Sequence, residues 1–241
     1  MVSTLWLVRH AESEGNLADD KARQARAERL ELTDRDADVP LSATGREQAA
    51  ALGRTWHTMT EDERPTRVLC SPYERAVQTA TGALEAAGWE HLEVHRDERL
   101  RERDLGLLDG FTRHGIEAKF PEEAERRAWL GKFYYRPPGG ESWADVAGRI
   151  RAVLEGRGPA NGERLLVVSH QAVIMVMRYV LEDLTEQQVL EIDSSEVVAN
   201  AAVTTYAGAD GALRLHRFND ASHLETSDAP VTEEPDAASV G

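Results

Sequence analysis

Leu5-Trp6-Leu7-Val8-Arg9-His10-Ala11-Glu12-Ser13-Glu14-Gly15-Asn16 is an apolar run that ends abruptly in Arg-His and gives way to small and polar residues. Far downstream, Leu165-Leu166-Val167-Val168-Ser169-His170 repeats the device. Short apolar runs with polar ends read as strands buried on both faces of a parallel sheet. Both histidines then emerge at strand carboxyl ends, where open α/β sheets bind ligands. A third run, Arg67-Val68-Leu69-Cys70, leads into Ser71-Pro72-Tyr73-Glu74-Arg75 and carries an arginine to the same edge. His10, His170, Arg9 and Arg75 on one rim suggest a phosphoryl-transfer site, and no metal motif competes with it.

Composition sets the limits. The 241 residues suit one α/β domain, and 41% hydrophobic with 29% charged residues is ordinary for a globular protein. The net charge of −15 argues against nucleic acid and against an anionic membrane surface. Much of the excess acid lies in the tail, so an anionic substrate can still reach a locally positive pocket. The one cysteine, Cys70, permits no internal disulfide and reads as a buried thiol. No basic segment followed by a long apolar stretch opens the chain, and no run is long enough to cross a membrane. The expected compartment is the cytoplasm.

The fold class expected is a three-layer α/β/α sandwich with a mostly parallel central sheet and a helical cap insertion. Strands are expected at Ser3–Arg9, Arg67–Cys70, 92–95, Arg164–Ser169, 201–207 and 213–218, with a hairpin turn at Gly208-Ala209-Asp210-Gly211. Residues 18–35 read as a solvated helix and loop. Thr44 and Glu47 have capping-box spacing before a helix carrying Ala49, Ala50, Leu52 and Trp56 on one face. Ser71, Pro72 and Glu74 should open another helix, placing Arg75 in its first turn beside amides that favour anions. Residues 105–138 form the cap, Ser142 starts the next helix, and Thr185 caps a short one. The helix over 171–184 is apolar on most faces and should be buried. The domain spans 1–219, and the acidic tail 220–241 buries too little to order itself.

Five motifs run in sequence: Arg9-His10-Ala11-Glu12, Ser71-Pro72 with Arg75, Glu102 in a Glu-Arg-x-x-Gly context, Gly139-Gly140-Glu141-Ser142, and Ser169-His170. Together they resemble the histidine phosphatase superfamily, also called phosphoglycerate mutase-like. Phosphoryl transfer needs a nucleophile, positive charge around the phosphoryl oxygens, and an acid for the leaving oxygen. The residues alone do not choose between His10 and His170 as nucleophile. The resemblance points to His10, through a phosphohistidine intermediate. It implies Arg9, Asn16, Arg75 and a cationic His170 as phosphate ligands. Asp97, Glu98, Glu102, Asp104 and Asp109 crowd one stretch, and the family pattern selects Glu102 as general acid and later base.

The chain departs from the family in two places. Ala11 replaces a usual glycine, which costs about 1 kcal/mol only if that position needs an unusual backbone angle. Gln171-Ala172 follows the second histidine where Gly-Gly is frequent. In the cap, Phe133-Tyr134-Tyr135-Arg136 reads either as a core aromatic cluster or as a place where Tyr135 and Arg136 meet substrate; Arg103 is a further candidate contact. His91 and His95 lie on an expected strand and make no helical metal pair, and His57, His114, His216 and His223 lack convergent partners. No metal or cofactor is expected.

The leading expectation is a phosphomonoester hydrolase acting on a phosphorylated small molecule. A cofactor-dependent phosphoglycerate mutase is the alternative, and a non-catalytic phosphate-binding module is the third. Leu17-Ala18-Asp19-Asp20 stands where mutases of this family usually carry Phe-Thr-Gly-Trp, and Arg126-Arg127 occurs in the cap in different surroundings. Monomer and homodimer stay open.

Overall fold

Period-two burial along the apolar runs builds the sheet. β1 (Ser3–Arg9) sends Leu5 and Leu7 to one face and Trp6 and Val8 to the other. β4 (Arg164–Ser169) divides in the same way, Leu165 and Val167 against Leu166 and Val168. Fully burying such a side chain stabilises by about 1.5–3 kcal/mol, so both faces must be covered. The two strands pair in parallel with Arg9 opposite Ser169, so His10 and His170 leave adjacent strand ends together. β2 (Arg67–Cys70) and β3 (Val94–Arg96) extend the parallel part, and β5 (Val203–Ala209) and β6 (Ala212–Asp220) add an antiparallel edge. The computed structural model describes residues 3–160, 162–209 and 212–233. Among these, the six strands run in the order β3-β2-β4-β1-β5-β6.

Helices supply the outer layers. α2 (Ala43–Trp56) and α3 (Glu74–Ala87) cover the face of Val8, Val68 and Leu166. α6 (Trp143–Arg157), α7 (Gln171–Leu181) and α8 (Glu186–Ser195) cover the face of Leu5, Leu7 and Val167. α7 is buried continuously from Gln171 to Arg178, as its apolar faces require. α1 (Glu14–Gln24) starts at the sheet's rim, Ser13 capping it through the Asn16 amide. α4 (Arg113–Lys119) and α5 (Pro121–Tyr134) form the cap, with α5 broken at Gly131, whose φ is 75°. Cys70 is buried, which pushes its thiol up to about 12. Among the described residues no helix is long and apolar enough to cross a membrane.

Local readings shift in several places. Ser42, not Thr44, caps α2, accepting the Gly45 amide at 2.9 Å. Tyr73 stands at the N-cap of α3 with no side-chain cap, so Ser71 is not the capping residue. The third strand begins two residues later than 92, and turn residues 210 and 211 lie outside the described residues.

The largest difference is at the carboxyl end. β6 runs through 219 to Asp220, and α9 (Ser222–Glu225) follows. Leu224 is fully buried with Ala11, Leu41 and Ala49. The buried Gln48 amide donates to the Pro230 carbonyl at 2.8 Å and to Thr232 Oγ1 at 2.9 Å. The expectation that order ends at 219 therefore fails over 220–233. Composition undercounted one apolar anchor and missed polar partners provided by the domain; residues 234–241 lie outside the described ones.

Candidate active site

The parallel pairing of β1 with β4 brings the two imidazoles together. The His10 and His170 rings meet edge to face with centroids 5.1 Å apart, and Tyr73 packs on His170 at 5.1 Å. Arg9, His10, Arg75 and His170 are all nearly buried. Above them opens a pocket of about 460 Å³ lined by Arg9, His10, Asn16, Arg75, Glu102 and Arg103 among others. His170 lies beneath the surface of this pocket, where its Nε2 hydrogen-bonds Ser71 Oγ at 2.7 Å. The hydroxyl expected to cap α3 is thus used to orient an imidazole.

The His10 tautomer follows from its neighbours. Its Nδ1 lies 2.8 Å from the Ala11 carbonyl oxygen, which can only accept, so Nδ1 carries the proton and Nε2 keeps its lone pair. Burial, reinforced by Arg75 and Arg9, holds the His10 pKa well below the usual imidazole value. His10 is therefore neutral near pH 7. The same holds for His170, lowered by burial and then by Arg75, His10, Arg149 and Arg9. The expected cationic His170 is corrected for the free site: complete burial penalises the charged ring, and the neighbouring guanidiniums add to the penalty.

Buried side chains hold the backbone around His10. Asn200 Nδ2 donates to the His10 carbonyl at 3.2 Å, the Ala11 amide to Thr79 Oγ1 at 2.9 Å, and the Glu12 amide to Gln48 Oε1 at 2.8 Å. Thr232 Oγ1 links the two amides, accepting from Gln48 and donating to Asn200 Oδ1 at 3.1 Å. Sequence reading missed all four. Gln48 carried a weak signal, a polar residue within the buried Ala-Leu face of α2; Asn200 and Thr232 carried none.

The other candidates divide. Arg75 Nη1 pairs with Asp36 Oδ1 at 2.9 Å and also donates to the Asp36 carbonyl, while Arg9 donates to the Val198 carbonyl. Asn16 lines the pocket, but its Oδ1 accepts from the Ser13 amide at 2.8 Å in the α1 capping box. Glu102 is half-buried and accepts the Arg103 amide at 2.8 Å. Asp104 and Asp109 share the pocket wall with it, whereas Asp97 is turned to Arg99 at 2.7 Å. Burial, with Asp36 and Asp104 adding to it, raises the Asp109 pKa. Two cap candidates do not reach this pocket. Tyr135 is buried and donates to Glu123 at 2.9 Å, and Arg136 is exposed and ion-paired with Asp145. Among the described residues no cluster of His, Cys, Asp and Glu could hold a metal ion.

The family model for the histidine phosphatase superfamily (branch 1) matches residues 5–221, nearly the whole described chain. The chain belongs to the histidine phosphatase superfamily. A 2,3-bisphosphoglycerate-dependent phosphoglycerate mutase of Rhizobium meliloti is 34% identical over 80% of this chain and 86% of its own. A 6-phosphofructo-2-kinase/fructose-2,6-bisphosphatase of Caenorhabditis elegans is 31% identical over 96% of this chain, which spans 46% of that protein. Among solved structures, a mycobacterial glucosyl-3-phosphoglycerate phosphatase superposes with a TM-score of 0.69 at 26% identity, covering 91% of this chain and 99% of that one. Departures from the superfamily's usual sequence are mild in geometry. Ala11 is not among the residues of positive φ, so the backbone cost weighed above does not arise. Gln171 is buried at the pocket wall, and its Oε1 has no partner among the described residues.

Proposed function

We propose that this histidine phosphatase superfamily member is a phosphomonoester hydrolase. His10 Nε2 attacks phosphorus, the P–O ester bond breaks, and Glu102 gives its proton to the departing alkoxide. Glu102 then takes a proton from water, the water oxygen attacks the phosphohistidine, and inorganic phosphate leaves. Arg9 and Arg75 hold the non-bridging oxygens. Arg75 gives up Asp36 to do so. The incoming dianion supplies the negative charge His170 lacks, so His170 takes up a proton as the ester binds.

The observation that carries this reading is the His10 ring. One nitrogen is tied to the Ala11 carbonyl, the other is free, and two guanidiniums lie at the same pocket. A neutral, oriented imidazole there is a nucleophile at pH 7.

The mutase reading is favoured by the identity to the Rhizobium enzyme over most of both chains. The pocket wall argues the other way. Mutase chemistry keeps a second anionic group bound close to the transferred phosphoryl. Here Asp34, Asp36, Glu102, Asp104 and Asp109 line the pocket against Arg9, Arg29, Arg75 and Arg103, which leaves little spare positive charge for a second anion once the phosphoryl group is held. The test is hydrolysis of p-nitrophenyl phosphate against conversion of 3-phosphoglycerate, with and without 2,3-bisphosphoglycerate. Phosphate release should exceed isomerisation; the reverse ratio would replace hydrolase by mutase.

A further inference from the structure

A second cavity, of about 490 Å³, lies under the cap between the Gly106–Leu108 turn, α4, α5 and α8. Arg103, Leu105 and Phe111 line both it and the phosphate pocket, so the two hollows share a wall. Its charged lining is largely neutralised in place. Tyr135 is bonded to Glu123 at 2.9 Å, Lys132 to Asp193 at 2.5 Å, and Arg113 to Glu117 at 2.8 Å. What faces the hollow without a polar partner is hydrocarbon: Leu105, Leu108, Phe111, Ile116 and Leu190. Arg103 is 95% buried, its Nε and Nη2 are held by the carbonyls of Glu141 and Tyr135, and its Nη1 finds no acceptor among the described residues.

Resting on the hydrolase reading, we propose that this cavity takes the alcohol half of the substrate, and that the substrate is a phosphate ester of an uncharged, mainly hydrocarbon alcohol. The volume is in the range of small-ligand sites, roughly 300–1,000 Å³. A phosphoryl group is too small to need both hollows. The nearly balanced charges of the first pocket leave little spare cation for an anionic alcohol half, and the apolar wall of the second disfavours a polyol, whose hydroxyls would lose water without regaining partners. Arg103, Leu105 and Phe111 belong to both hollows, so an alcohol half attached to a phosphoryl group in the first would pack against these three side chains in reaching the second.

The experiment is a chain-length series of n-alkyl phosphates, butyl to octyl, with glycerol 3-phosphate as the polar control. Each buried methylene should raise kcat/KM about threefold to fourfold, so octyl should exceed butyl by roughly a hundredfold. Ala124 and Ala128 line the cavity from α5, half-buried and exposed respectively, so Ala124→Trp and Ala128→Trp can fill it without disturbing the core. Both should flatten the series and leave butyl phosphate turnover within about twofold of the parent. A flat series in the parent, a slope that survives both tryptophans, or preference for glycerol 3-phosphate would overturn the proposal. Titration calorimetry with the matching n-alkylphosphonates separates this inference from the hydrolase reading. Affinity that climbs with chain length and is lost in the tryptophan variants supports the cavity even if no ester turns over. Affinity independent of chain length ends it.

Discussion

Between the pocket floor and the cap, the means of support change. Around His10 the backbone is gripped by Thr79, Gln48 and Asn200, side chains that are almost fully buried. On the cap and its flank several charges pair at the surface, as in Arg113 with Glu117, Arg126 with Glu123, and Arg136 with Asp145. Buried hydrogen bonds are expensive to break and enforce one geometry. Exposed ion pairs contribute about 0–1 kcal/mol and can be exchanged one for another. The floor thus fixes one geometry, and on the proposed reading the cap can change to accept a different alcohol without disturbing it.

Four experiments press on that contrast. His10→Ala should lower kcat/KM by about 10⁴-fold or more and abolish acid-labile labelling by substrate phosphate, because nothing else on the floor replaces the nucleophile. Labelling that persists would move the nucleophile and break the contrast at its centre. Glu102→Gln should slow alkyl esters by about 10²-fold but aryl esters much less, since a good leaving group needs little protonation. Asp109 is its rival, with a raised pKa on the same wall. If Asp109→Asn shows the selective loss instead, the acid belongs to the rim.

Acid stability separates floor from periphery next. His10, His170 and His223 all have pKa values lowered in the fold, His223 to about 4 through burial. The unfolded chain binds these protons near pH 6.5 and the native chain does not. Their stabilisation is therefore complete above pH 6.5 and is lost as pH falls toward each folded pKa, at about 1.4 kcal/mol per pH unit for each histidine. Urea midpoints from pH 7 to pH 5 should show the slope. Inorganic phosphate should reduce the share due to His170, and His223→Gln should remove only its own. The smallest effect expected is at the rim. Asp36 holds Arg75, so if Arg75 binds phosphate as proposed, Asp36→Asn should lower KM about two- to fivefold with kcat unchanged. A fall in kcat would mean that Asp36 belongs to the floor.

Much of the floor could be read from the chain because its information is local. An apolar run of alternating burial ending in Arg-His states both the strand and where its last side chain emerges. β1, β2 and β4 sit where the runs indicate. The cap resisted because 105–138 carries no single period: α5 is broken at Gly131, and Tyr135 is buried while Arg136, its neighbour, is exposed. The charge state of His170 is not legible because it depends on the ring's complete burial and then on the field of Arg75 and other groups distant in sequence. The carboxyl segment was misjudged for a like reason. Thr232 is ordered by Gln48 and Asn200, and no composition window contains all three.

That last contact sets a timetable. A ribosome releases the first strand's histidine long before residue 232 exists, so the loop at residues 10–12 first forms without its final brace. A chain cut at residue 219 loses that brace together with the buried Leu224, and should work sluggishly.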